Sequence, residues 1–222
     1  SHTNPGLGAP GTTREHHEHH ELGFLRKYIF STDHKVIGLQ FMFTGLLFFV
    51  LGGLFAMAIR YQLAWPWESM PVIGAMLFPN TGQAITPEFY TMLFTMHATV
   101  MIFLVIIPIL AGAFGNFCIP LMIGADDMVF PKINRLSFQI FLLSAFVILG
   151  AFFVEGGAFG GAWTAYPPLS TKAEYSLTGL GSTMWITAVF LEFVAFLLGG
   201  INFVTTVMNS RAPGMNLYDI PM

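Results

Sequence analysis

Hydrophobic positions along the chain gather into four long runs separated by polar, glycine-rich and proline-rich segments. The first covers residues 36–59, with Gln40 and Thr44 as its clearly polar members. The second covers residues 89–117, the third 136–154, and the fourth 184–208, interrupted by Glu192. A helix needs roughly 20 apolar residues to cross a bilayer, so each run predicts a transmembrane helix. Barrel strands are about half as long and alternate polar residues into a lumen, which these runs do not. The expected fold class is all-α, a polytopic transmembrane helix bundle with four spans here. A flexible, polar tail over residues 1–23 precedes it, and the membrane domain occupies residues 24–222.

Composition agrees. Hydrophobic residues make up 55% of the chain and charged residues 9%, against roughly 25% charged in soluble proteins. Apart from Glu192, the charges sit in tails and loops, and no basic stripe points to nucleic acid. The single cysteine, Cys118, excludes an internal disulfide framework and reads as small apolar filler. Arg14, Arg26, Lys27, Lys35, Lys132, Arg135 and Arg211 fall on one side of the four spans, leaving Arg60 and Lys172 on the other. The positive-inside rule makes the first side cytoplasmic or matrix-facing, with both ends of the segment there. The tail contains no apolar core of the length a cleavable signal needs. Its HHEHHE tract (residues 16–21) reads as solvated, with divalent-metal binding the alternative. Residues 24–30 read as a short interfacial segment.

Of seven histidines, only His97 falls inside an apolar run, in a stretch (residues 89–123) without Asp, Glu, Lys or Arg. An imidazole there either binds a metal or heme, or pairs with a neighbouring helix, and the residues alone leave both open. It lies about 12 Å along its helix from Phe89, in the outer half of the bilayer. Glu192 is an intramembrane carboxylate, which either has a function, as a proton relay or a hydrogen bond to another helix or subunit, or is protonated and merely satisfied, and the residues leave these open. Glu155 ends the third run at the outer surface and is comfortably solvated. Gly52-Gly53 and Gly199-Gly200 read as close helix contacts.

With these residues placed, the chain resembles subunit I of the heme-copper terminal oxidases, the catalytic subunit of the cytochrome c oxidase type. Five ordered motifs carry the resemblance: DHKVIG (33–38), HATVMIF (97–103), GNFCIPLMIGADDMVFPKIN (115–134), WTAYPPL (163–169) and INFVTTV (201–207). The resemblance implies that His97 is one axial ligand of a low-spin heme, heme a in the expected form. It implies that Arg60 hydrogen-bonds a substituent of that heme, and that Trp163 lies beside its propionates. It further implies that Asp127, with Asn116 and Asn134, forms the mouth of a proton-uptake pathway. Asp126 departs from the family pattern, which commonly has proline there. No family role transfers to Glu192.

The family builds its oxygen-reducing centre from histidines on later helices, with copper beside a high-spin heme. These four spans hold none of those ligands, so the chain alone is not expected to be active. Cytochrome c, other oxidase subunits, the remaining helices of subunit I and membrane lipid are the implied partners. The implied site is an energy-transducing bacterial or organellar inner membrane. A quinol-oxidising relative and a heme-free transporter or scaffold module are the alternatives; the latter leaves unexplained why His97, Arg60, Trp163 and the Asp127 loop occur together.

Overall fold

The computed structural model describes residues 28–70, 74, 82–172 and 179–220. The tail with its histidine tract, and residues 24–27 of the interfacial segment, lie outside them. Four helices carry the fold: α1 (His34–Ala64), α2 (Pro87–Ile123), α3 (Pro131–Gly150) and α4 (Leu180–Asn209). Each is long and apolar enough to cross a membrane, and no strand occurs among the described residues.

The helices mostly run a few residues beyond the apolar runs, because lipid contact ends where polarity begins whereas hydrogen bonding continues to the caps. Asp33 caps α1, its Oδ1 accepting the Lys35 N–H at 2.7 Å, so the helix starts at His34. Thr86 accepts the Phe89 N–H at 3.3 Å with Pro87 in the first turn of α2. Gly124, at φ 72°, closes α2 in the left-handed conformation that glycine permits. Pro131 opens α3, which ends in a short 3-10 turn, Ala151–Phe153. Within α2, two wide π-type stretches flank Ile107, whose N–H reaches the carbonyl of Ile102, five residues back. Pro108, next in the chain, has no N–H to offer.

α1 packs antiparallel along α2, and α3 along α4. The first pair meets on a glycine seam. A Cβ added at Gly45 would lie 2.6 Å from Ile109 Cγ1, one at Gly52 2.6 Å from Met101 Sδ, and one at Gly38 3.0 Å from the Ala113 carbonyl oxygen. Bare backbone is what lets two membrane helices approach this closely. The expectation of close contact thus holds at Gly52 but not at Gly53, Gly199 or Gly200, where an added Cβ meets nothing within 4 Å. No described helix reaches those three.

Aromatic and hydrogen-bonded contacts join the two pairs. Phe41 of α1 meets Phe138 edge-on at 5.0 Å and Phe141 at 5.1 Å on α3. Buried Trp185 of α4 donates from Nε1 to Thr99 Oγ1 of α2 at 3.0 Å. At one end of the bundle, Arg135 donates to the Phe30 carbonyl, the Val129 N–H to Thr206 Oγ1, and the Ala212 N–H to the Ile123 carbonyl. These bonds gather the start of α1, the α2–α3 loop and the end of α4 together, the arrangement an even number of crossings requires. Tyr28 and Ile29 fold back there, their carbonyls accepting from Gln40 Nε2.

Large apolar side chains also face outward, among them Phe43, Leu47 and Leu54 on α1 and Phe190, Phe193 and Leu197 on α4. The described helices are therefore apolar on all sides, as in a bilayer. Gly45→Val is expected to cost about 1–3 kcal/mol through overpacking of the seam. It should lower the thermal midpoint of the purified membrane protein, read by helix circular dichroism, while Gly53→Ala leaves it unchanged. Equal midpoints for both would contradict the seam.

Candidate functional site

α2 crosses α1 where the glycine seam exposes a backbone carbonyl. Half-buried His97 sits there with Nδ1 2.8 Å from the Gly52 carbonyl oxygen. A carbonyl only accepts, so Nδ1 carries the proton and donates it, leaving Nε2 as the lone-pair nitrogen. Two residues earlier, Thr95 donates to the Thr91 carbonyl at 2.9 Å and accepts the Ala162 N–H at 3.0 Å. This second bond ties the outer loop to α2 two residues from His97. The next loop residue is Trp163, 39% exposed, its ring 6.4 Å from that of Phe103. Ala162 and Ala165, on either side, hold left-handed φ values of 64° and 51°, uncommon for residues with a Cβ. Arg60 lies eight residues beyond Gly52 on α1, about 12 Å along the axis. It is exposed, with no hydrogen-bond or ion-pair partner among the described residues. The structure therefore joins Trp163 to the His97 turn through Thr95, and leaves Arg60 projecting outward from the same end.

No group of three or more His, Cys, Asp or Glu side chains that could hold a metal ion occurs among the described residues. A single oriented imidazole suits iron inside a macrocycle, which brings its own four nitrogens and asks the protein only for axial ligands. The donor set fits a heme and does not fit a metal held wholly by the described residues.

At the other end, Asp127 is half-buried, its Oδ1 accepting the Met128 N–H at 2.7 Å, while Asp126 is exposed. The loop behind it is pinned to α4. Thr206 accepts the Val129 N–H at 3.1 Å, and Asn202 both accepts the Phe130 N–H at 3.0 Å and donates to the Phe130 carbonyl at 3.3 Å. Asn116 and Asn134 are buried, 2% and 0% exposed. Asn116 donates to the Gly112 carbonyl at 2.6 Å, but its Oδ1 has no partner, and neither amide atom of Asn134 has one among the described residues. Buried amides normally find partners, and ordered water is what serves where protein does not. Lys132 is exposed, and Arg135 turns to the Phe30 carbonyl.

Sequence reasoning missed His34. It is 2% exposed, with Nδ1 2.8 Å from the Asn116 carbonyl oxygen, so His97 is not the only histidine on a spanning helix. The apolar run begins at Val36, and only the capping signal of Asp33 reveals that the helix starts earlier. The clamp by Asn202 and Thr206 was missed too, although both lie in INFVTTV. Glu192 is 1% exposed, and neither carboxyl oxygen has a hydrogen-bond partner among the described residues. Glu155 is exposed as expected, and Cys118 is half-buried and free.

The sequence profile described as "Cytochrome C and Quinol oxidase polypeptide I" matches residues 36–222. Among curated relatives, cytochrome c oxidase subunit 1 of Synechocystis sp. is 40% identical over 196 residues, covering 88% of this chain and 32% of the relative. Cytochrome c oxidase subunit 1 of Cereibacter sphaeroides is 36% identical over 223 residues, covering 93% of this chain and 39% of the relative. The alternative cytochrome c oxidase subunit 1 of Bradyrhizobium diazoefficiens is 34% identical over 204 residues, covering 92% and 32%. The chain thus spans about a third of the length of the relatives it matches, and its four membrane-crossing helices belong to a multi-pass protein. The match across nearly all the described helices places this chain in the cytochrome c and quinol oxidase polypeptide I family.

Proposed function

We propose that this chain forms part of the catalytic subunit of a proton-translocating respiratory oxidase, which takes electrons from cytochrome c and reduces dioxygen to water. The observation that carries the reading is His97, oriented by the Gly52 carbonyl so that Nε2 keeps a free lone pair. A bound low-spin heme, heme a in this reading, supplies one-electron transfer. What the chain does is hold and tune it. The Gly52 carbonyl fixes the His97 tautomer and raises the basicity of the ligating nitrogen. Arg60, without a partner among the described residues, is available to a heme substituent, and Trp163 to the propionate edge. The second axial ligand, the high-spin heme and copper belong to residues beyond these four spans.

Asp127 collects protons at the end of the bundle where Lys35, Lys132, Arg135 and Arg211 cluster, which the positive-inside rule makes the cytoplasmic or matrix side. Its carboxylate captures a proton from bulk water, and Asn116 Oδ1 and the Asn134 amide, without partners among the described residues, order water that passes the proton inward. Asp126 adds a second exposed carboxylate at that mouth. The membrane is an energy-transducing inner membrane, and the partners are the remaining helices of subunit I, other oxidase subunits and lipid. Cytochrome c is favoured over quinol as donor because the relatives carry the cytochrome c oxidase name.

In the full complex, His97→Ala is expected to abolish the low-spin heme signal in a reduced-minus-oxidised optical spectrum. A normal low-spin spectrum in that variant would defeat the ligand assignment. Asp127→Asn is expected to slow oxygen consumption about ten-fold or more, with both heme signals in place. Wild-type turnover would remove Asp127 from the proton path.

A further inference from the structure

Glu192 is the most deeply buried acid among the described residues, and nothing above gives it a task. It sits on the inward stripe of α4 with Trp185, Ala188, Ala195, Asn202 and Thr206, spaced alternately three and four residues apart once Gly199 is counted. Directly across the antiparallel interface is Ser144 of α3, whose hydroxyl donates instead to the Ala188 carbonyl at 2.7 Å. Ser144 is close enough to serve the Glu192 carboxyl, but its proton is committed to Ala188, and neither carboxyl oxygen has a fully formed hydrogen bond among the described residues.

Its position among the other unsatisfied groups is informative. Seven buried side-chain atoms lack a partner among the described residues, and five of them belong to Asn116, Asn134 and Glu192. Ten residues separate Asn202 from Glu192 on α4, and ten separate Asn134 from Ser144 on α3, about 15 Å along either axis. Glu192 therefore lies on the same α3–α4 interface as Asn134 and Asn202, about 15 Å deeper. The intervening stretch carries Ser137 on α3 and Ala195 and Gly199 on α4, together with buried Phe138 and Phe141 of α3, which pack on Phe41 of α1. The Trp185–Thr99 bond sets the register of α4 against α2, and puts His97 about 14 Å beyond Glu192 on the outer side. Between the inner end of these helices and His97, the other titratable side chains inside the bundle are half-buried Cys118 and buried His34, both near the inner end.

We propose that Glu192 is an internal proton-relay group, receiving protons by way of water ordered on Asn134, Ser137 and Ser144 and passing them toward the outer half of the bundle. The inference rests on Asp127 as the site of proton uptake. A proton arrives at one carboxyl oxygen, forming an O–H bond, and the proton on the other oxygen leaves to the next water, so the acid is regenerated. A carboxyl group does this where an amide does not, because it exchanges its proton without changing its heavy-atom frame.

The test uses the complete oxidase complex carrying Glu192→Gln, Glu192→Asp or Asp127→Asn, with turnover and heme spectra read in parallel. Glu192→Gln is expected to slow turnover roughly ten-fold with unaltered heme spectra, and Glu192→Asp to recover much of the rate. If Asp127→Asn is slow while Glu192→Gln matches wild type, the relay is overturned and the uptake site stands. If neither variant is slow, both fall. Should the Gln variant fail to assemble, the redox-induced infrared difference spectrum decides. A carboxylic-acid carbonyl band that shifts in heavy water and moves in Glu192→Asp is expected, and absence of any band sensitive to that substitution overturns the relay.

Discussion

The hydrogen bond from His97 to the Gly52 carbonyl depends on the closeness of two helices, and much else depends on it. A helix carbonyl is normally screened by the side chains around it. On α1 the seam of Gly38, Gly45 and Gly52 strips that screen away, and α2 comes near enough for an imidazole to reach the backbone. That one bond settles the tautomer, the ring orientation and which nitrogen is free. Because α2 is fixed at His97, the Thr95 bond to Ala162 in turn fixes where the Trp163 loop lies. His34 repeats the arrangement at the opposite end, donating to the Asn116 carbonyl. Two imidazoles, buried His34 and half-buried His97, thus pin α1 to α2 at both ends of the seam.

Polar groups inside the bundle divide into two kinds. Thr95, Thr99, Trp185, Asn202 and Thr206 are satisfied by protein and act as fasteners. Asn116 Oδ1, both amide atoms of Asn134 and both oxygens of Glu192 are not. In a low-dielectric slab, unpaired groups are costly, and these five atoms sit on three neighbouring helices, α2, α3 and α4, which is the observation behind the proposed water route. The proposed heme-facing group, His97 of α2, and the unpaired polar groups of the proposed proton route thus lie in different parts of the bundle.

Much of this was legible in the sequence, for identifiable reasons. Four apolar runs gave the fold class, since a bilayer allows few alternatives. Boundaries were less legible, because apolar runs report lipid contact whereas Asp33, Thr86 and Gly124 decide where hydrogen bonding stops. His97 and Asp127 stood out by residue type in an otherwise apolar or motif-rich setting. His34 did not, because it precedes its apolar run by two residues. Glycine contacts were only partly readable: Gly52 faces a neighbour and adjacent Gly53 does not, and which face meets a neighbour is a tertiary property. The clamp of the Asp127 loop by Asn202, more than seventy residues away, had no local signal at all.

The central claim is that these helices hold one heme of a heme-copper oxidase. A reduced-minus-oxidised optical spectrum, with and without carbon monoxide, on the complex purified from its native membrane through this chain tests it most directly. Two heme populations, only one of them binding carbon monoxide, are predicted. A complex that purifies intact with no heme would contradict the account.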